Sequence, residues 1–171
     1  MKREKIKNIT YISLSVAILT VISQISFYVG PVPITLQVLA VSLIGYFLGA
    51  KRGIISILAY ILLGLVGVPV FSGFMGGIYV LFGYTGGFIL GFLPLAFMCG
   101  MGKKKITCLA LGQVGLLICH LCGAIQYMLL AKINLPKSLL VSSLPFLIKD
   151  IVLVFMAYLF AQLLKTKISQ S

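Results

Sequence analysis

The sequence predicts an all-α membrane protein: a bundle of six transmembrane helices with both termini in the cytoplasm. Three observations carry that expectation. Of the 171 residues, 61% are hydrophobic and 9% are charged, and the mean hydropathy is +1.18. A soluble domain of this size needs far more polar surface. Second, the apolar stretches are interrupted by short charged clusters or by proline and glycine turns. Third, the positive charges are distributed unequally between the two ends of those stretches.

The chain opens with a basic tail, Met1 to Asn8, carrying Lys2, Arg3, Lys5 and Lys7. The first span is expected over about 9–29. It is as long as a full crossing and lacks an A-x-A-like cleavage site, so it reads as mature structure rather than a signal peptide. Ser13, Ala17, Thr20 and Gln24 follow helical spacing along one side of it. Two prolines in Gly30 to Thr35 (GPVPIT) stop the helix. A second span covers about 36–50, Lys51-Arg52-Gly53 forms a charged turn, and a third span covers about 54–66.

Val66 to Gly77 holds one proline and four glycines, too many for a helix centre. Irregular backbone at membrane depth persists only where protein buries it or a cavity meets it. This segment therefore reads as a cavity wall. The fourth span is expected over about 78–101. Gly83, Gly87 and Gly91 recur in it every four residues, on one helical face that lets another backbone approach closely. After Lys103, Lys104 and Lys105 come a fifth span, about 106–131, a polar turn from Lys132 to Lys137, and a sixth span, about 144–164. Together, residues 1–171 form a single membrane domain.

With six spans, eleven Lys and Arg residues fall on the side of the termini, and Lys132, Lys137 and Lys149 fall on the other. The positive-inside rule then places both termini in the cytoplasm. The irregular segments at 30–35, 67–77 and 132–143 all fall on the outer face, where a pocket is expected.

The formal net charge of +12 would suggest nucleic acid in a soluble protein. Here the charges sit at span ends, so the expected partner is membrane lipid and no nucleic acid is expected. The sequence contains no P-loop, H-E-x-x-H or G-x-S-x-G motif. Cys99, Cys108, Cys119 and Cys122 lie in apolar spans and read as free thiols. Cys119 and Cys122 share a helical face, but His120 lies off it and no second ligand pair occurs. No metal or cofactor is expected.

Few residues remain that could carry chemistry. Asp150 is the one acid inside a span, and an intramembrane carboxylate is a functional candidate by default. The alternative is an acid near a helix start, held by the macrodipole. Lys149 is its neighbour. On a helix it points about 100° away, so it either joins the site or snorkels to the interface. His120 is a candidate pocket residue or interhelical hydrogen-bonder. Gln37 and Gln126 either touch ligand or join helices, as does Gln113. Tyr79 and Tyr84 flank the glycine-rich turn, as belt anchors or as partners for a ligand ring. Thr35, Gly76 and Gly77 belong to the irregular segments and are candidate contacts.

Three stretches carry a family resemblance: GPVPITLQ (Gly30 to Gln37), GLVGVPVFSGFMGG (Gly64 to Gly77) and GYTGGFILGF (Gly83 to Phe92). The chain resembles the BioY family, the biotin-binding S components of energy-coupling factor (ECF) transporters. That resemblance implies a six-helix bundle that binds biotin from outside. It also implies a transmembrane coupling protein with two cytoplasmic ATPases as partners. The family's first helix docks on the coupling protein through small residues, for which Ser13, Ala17 and Thr20 are the counterparts here. Its last span carries an Asp followed three residues later by Lys, after a Pro-Gly pair. This sequence keeps Asp150, has Ile148 and Lys149 in place of the pair, and has Leu153 at the lysine position. Lys149 would then reach the ligand from a different angle. The alternatives are an S component for another small vitamin and, in different classes, a membrane enzyme using Cys119, His120 or Asp150 and a stand-alone channel or carrier.

Overall fold

The computed structural model describes residues 2–28 and 32–170. It is helical, and among the described residues eight helices and one small strand pair follow in the order α1 Lys2–Ser23, β1 Ser26–Tyr28, β2 Pro33–Thr35, α2 Gln37–Leu48, α3 Ala50–Leu65, α4 Ile78–Leu81, α5 Gly86–Met101, α6 Lys105–Ala131, α7 Leu135–Ser142 and α8 Leu144–Gln170. Three of these are long and apolar enough to cross a membrane: Arg3–Ser23, Lys105–Ala131 and Leu144–Lys167.

The elements depart from the sequence expectation in five places. Lys51-Arg52-Gly53, expected as a charged turn, lies in the first turn of α3, and the chain turns instead at Gly49, with φ 81°. The first helix ends at Ser23 rather than continuing to Val29. Ser23 Oγ donates to the Val70 carbonyl at 2.6 Å, and Gln24 Oε1 accepts the Phe74 N–H at 2.8 Å. These side chains clamp the loop after α3. Beyond them the chain enters β1, which pairs antiparallel with β2, Ser26 opposite Thr35. An all-α description therefore omits one short ribbon. Gly30 and Pro31, part of the expected break, lie outside the described residues.

The expected fourth span is two helices, α4 and α5, separated at Phe82 to Thr85. Gly83 therefore sits in a turn and not on a helical face with Gly87 and Gly91. Finally, the polar connection after α6 contains α7. Asn134 caps it by accepting the Lys137 N–H at 3.1 Å. Pro136 stands in its first turn, where a missing N–H costs nothing. The Val66 to Gly77 segment forms no helix, as its composition predicts. It closes through a bridge between Phe71 and Met75, and Gly77 turns into α4 with φ 102°, a conformation suited to glycine.

Helix α5 lies at the centre, packed along α6 and against α2 and α3, while α8 covers α2 and α6. Close approach of α5 and α6 rests on Gly91, where a Cβ would lie 2.7 Å from Cys119 Cα. Lipid tails are as apolar as side chains, so such backbone contact supplies dispersion that hydrophobicity cannot. Gly91→Val should force the helices apart. Overpacking costs about 1–3 kcal/mol, so the melting temperature in detergent is expected to fall by several degrees. Gly83→Ala, whose Cβ meets nothing nearer than 3.4 Å, should leave it unchanged.

Helix α1 packs at the edge against α2 and α3. Only 17% of its most apolar stretch is buried inside the bundle, against 44% for Lys105–Ala131. Val16, Leu19 and Ser23 face inward, whereas Ser13 and Ala17 are exposed and Thr20 is half-buried. Thr20 returns its hydroxyl to the Val16 carbonyl at 2.9 Å.

Candidate functional site

A cavity of about 240 Å³ opens at the end of the bundle where α1 finishes and α8 begins. Seven segments build it. Pro33 and Thr35 of the ribbon and Val32 just before it, with Gln37 and Val38 of α2, form one side. Phe71, Ser72 and Met75 come from the loop after α3. Tyr79, Val80, Gly83, Tyr84 and Thr85 come from α4 and its turn, and Phe88, Ile89 and Phe92 from α5. Cys119 and His120 of α6 and Phe146, Lys149 and Asp150 of α8 complete it. The wall is mainly aromatic and aliphatic, with a few polar groups set into it. That is the composition of a small-molecule site.

The polar groups converge on Asp150. It is 4% exposed. Its Oδ1 lies 2.6 Å from Lys149 Nζ, and its Oδ2 lies 3.3 Å from His120 Nε2. Adjacent positions on a helix diverge, yet Lys149 meets Asp150 because its flexible four-carbon stem folds back over the helix. Nζ also donates to the Thr35 carbonyl at 2.7 Å, so the cation turns inward and ties α8 to the ribbon. Asp150 stands in the second turn of α8. The macrodipole weakens beyond the first turn, so the helix start alone does not account for this carboxylate.

Gln37 is buried and donates to the Tyr60 hydroxyl at 3.0 Å, and that hydroxyl donates to the Val70 carbonyl at 2.9 Å. This relay holds the Phe71 side of the cavity. Tyr79 and Tyr84 line the cavity, and Tyr84 packs against Tyr127 with ring centroids 5.2 Å apart.

Thr35, Gln37, Tyr79, Tyr84, His120, Lys149 and Asp150 are thus brought to one cavity. Gly76, Gly77 and Gln126 are not among its lining residues. The two glycines shape the loop behind the wall. Gln126 donates to the Leu81 and Gly83 carbonyls at 2.7 and 2.6 Å, bracing the end of α4. Gln113 lies away from the site and donates to the Ile151 carbonyl at 3.3 Å, joining α6 to α8. Leu153 is packed in the core. Cys119 and Cys122 are free thiols, and Cys119 Sγ meets the Phe88 carbonyl at 3.5 Å. Residue types did not single out the aromatic wall, although Phe88 and Phe92 stand one helical turn apart, a spacing that places both on one face.

Fold and cavity together define a class: a helical membrane protein with an apolar cavity, set with a few polar groups, at one end of its bundle. The sequence model of the BioY family matches residues 1–170, and the chain belongs to that family. It is 42% identical over 162 residues to the probable biotin transporter BioY of Pyrococcus horikoshii, covering 94% of this chain and 98% of the relative. It is 39% identical over 153 residues to the biotin transporter BioY of Thermotoga maritima, covering 87% and 90%. Among solved structures, the S-component for biotin from an ECF-type ABC transporter superposes with a TM-score of 0.89 at 27% identity, covering 97% of this chain and 94% of that one.

Proposed function

We propose that this protein is the biotin-binding membrane subunit of an ECF-type vitamin uptake transporter, and not an enzyme. The observation that carries this reading is the buried carboxylate of Asp150, set with Lys149 and His120 into an apolar cavity in a chain of the BioY family. Biotin has an apolar bicyclic ring and chain with polar groups at its two ends. Such a molecule suits an apolar cleft with a few fixed polar partners.

In this reading α1, α2, α3, α5, α6 and α8 provide six crossings and both termini are cytoplasmic. Support comes from the excess of Lys and Arg on the side of the termini. The cavity then faces outward and receives biotin there. The ureido N–H groups donate to Asp150, Tyr79 and Tyr84 flank the ligand, and Gln37 and Thr35 close the side under the ribbon. Delivery inward requires a transmembrane coupling protein driven by two ATPases, with Ser13, Ala17 and Thr20 as the docking face.

Direct binding of labelled biotin to the purified protein tests the ligand. Saturable binding that thiamine and riboflavin do not displace is the expected result. Tight binding of either of those vitamins with none of biotin would overturn it.

A further inference from the structure

We propose that His120 donates a hydrogen bond to the ureido oxygen of the ligand, so that His120 and Asp150 together read the N–H and C=O edge of a cyclic urea. The inference rests on the biotin reading and adds a specificity-determining contact to it.

His120 is 5% exposed and lines the cavity. Its ring stands edge-on to Phe88, with centroids 5.8 Å apart and planes at 88°. Neither ring nitrogen has a hydrogen-bond partner among the described residues. Nε2 lies 3.3 Å from Asp150 Oδ2, but off the line that a hydrogen bond needs. Buried polar groups are ordinarily satisfied, and an orphan that faces a cavity calls for a partner inside it.

The chain also fixes where this imidazole stands. The His120 carbonyl accepts the Ser143 hydroxyl at 3.3 Å, and the Ala124 carbonyl accepts that of Ser138 at 2.6 Å. These bonds pin α6 to α7 and to the start of α8. The imidazole and the carboxylate are therefore held at their 3.3 Å spacing by the helix packing, without an aligned hydrogen bond between them.

The chemistry of the pair selects the ligand edge. An ionised carboxylate only accepts, and Lys149 supplies its counter-charge. An imidazole carries an N–H in either tautomer and when protonated. Side by side, the two offer an acceptor next to a donor. A ligand with donors alone would leave the imidazole N–H unpaired. A cyclic urea presents a donor next to an acceptor, and each hydrogen bond polarises the other.

The test uses two ligands on the purified full chain: biotin, and 2-thiobiotin, in which sulfur, a weak acceptor, replaces the ureido oxygen. Wild type is expected to prefer biotin. His120→Phe should weaken biotin binding by about 10-fold while leaving 2-thiobiotin within about 2-fold, so the preference for oxygen collapses. His120→Gln, which keeps an N–H donor, should retain that preference. The ratio of the two dissociation constants within one variant does not depend on how much of the protein is folded. Equal loss of both ligands in the Phe variant, or equal affinity for both in wild type, overturns the proposal and leaves the biotin reading standing. Failure of wild type to bind either ligand overturns the biotin reading itself, and the proposal with it.

Discussion

Asp150→Asn is expected to weaken biotin binding by roughly 10- to 150-fold, the equivalent of about 1.5–3 kcal/mol for a charge-assisted hydrogen bond in a dry site. Asn preserves the shape of the side chain but replaces one acceptor oxygen with a donor. That change turns a partner of the ureido N–H groups into a repulsive contact. Asp150 also serves the empty protein, because Lys149 lies 2.6 Å from it. Removing one member of a fully buried pair commonly costs about 3–5 kcal/mol. The Lys149 side chain, however, is 29% exposed and keeps its bond to the Thr35 carbonyl, so a smaller loss of stability is expected.

Two measurements on one purified variant separate the roles. A raised dissociation constant with near-normal melting of ligand-free protein places Asp150 in the binding site. A lowered melting temperature with a dissociation constant within about twofold of wild type would make it a structural residue only.

Ala17→Trp is expected to abolish biotin uptake in cells that express the coupling protein and its ATPases, while the dissociation constant for biotin stays within about twofold of wild type. Ala17 is exposed at the edge of the bundle, so an indole there points away from the core and meets no internal neighbour. What it destroys is flatness. Two membrane helices associate through close backbone approach, which small residues permit and a Trp side chain prevents. The cavity lies beyond the C-terminal end of α1, remote from this position. Ala17→Gly, which keeps the face flat, should retain uptake. Loss of binding and uptake together in the Trp variant would show that Ala17 belongs to the internal packing of α1. Normal uptake would remove this face from the docking surface.

The membrane class and most of the polar groups that line the cavity were legible in the sequence for a single reason. In a chain this apolar, a buried polar side chain has few other uses. Asp150, Lys149, His120, Gln37 and the two tyrosines stood out against their background. The glycine- and proline-rich run at 66–77 announced irregular backbone. The division of labour among the amides was not legible. Gln37 and Gln126 look alike in sequence, and only the positions of Tyr60 and of the Leu81 and Gly83 carbonyls make one a cavity residue and the other a brace.

Local patterns also concealed the break between α4 and α5, because Phe82 to Thr85 interrupts the helix without a proline or a charge. Helix α7 had a readable start, with Asn134 as cap and Pro136 in the first turn, but its polar surroundings resembled a loop. The tertiary structure alone decided which aromatics form the wall. Phe71, Phe88, Phe92 and Phe146 carry the same sequence signal whether they face lipid, core or ligand, because all three surroundings are apolar. Hydropathy cannot distinguish surroundings of equal polarity; only the packing of seven separate segments around one space can.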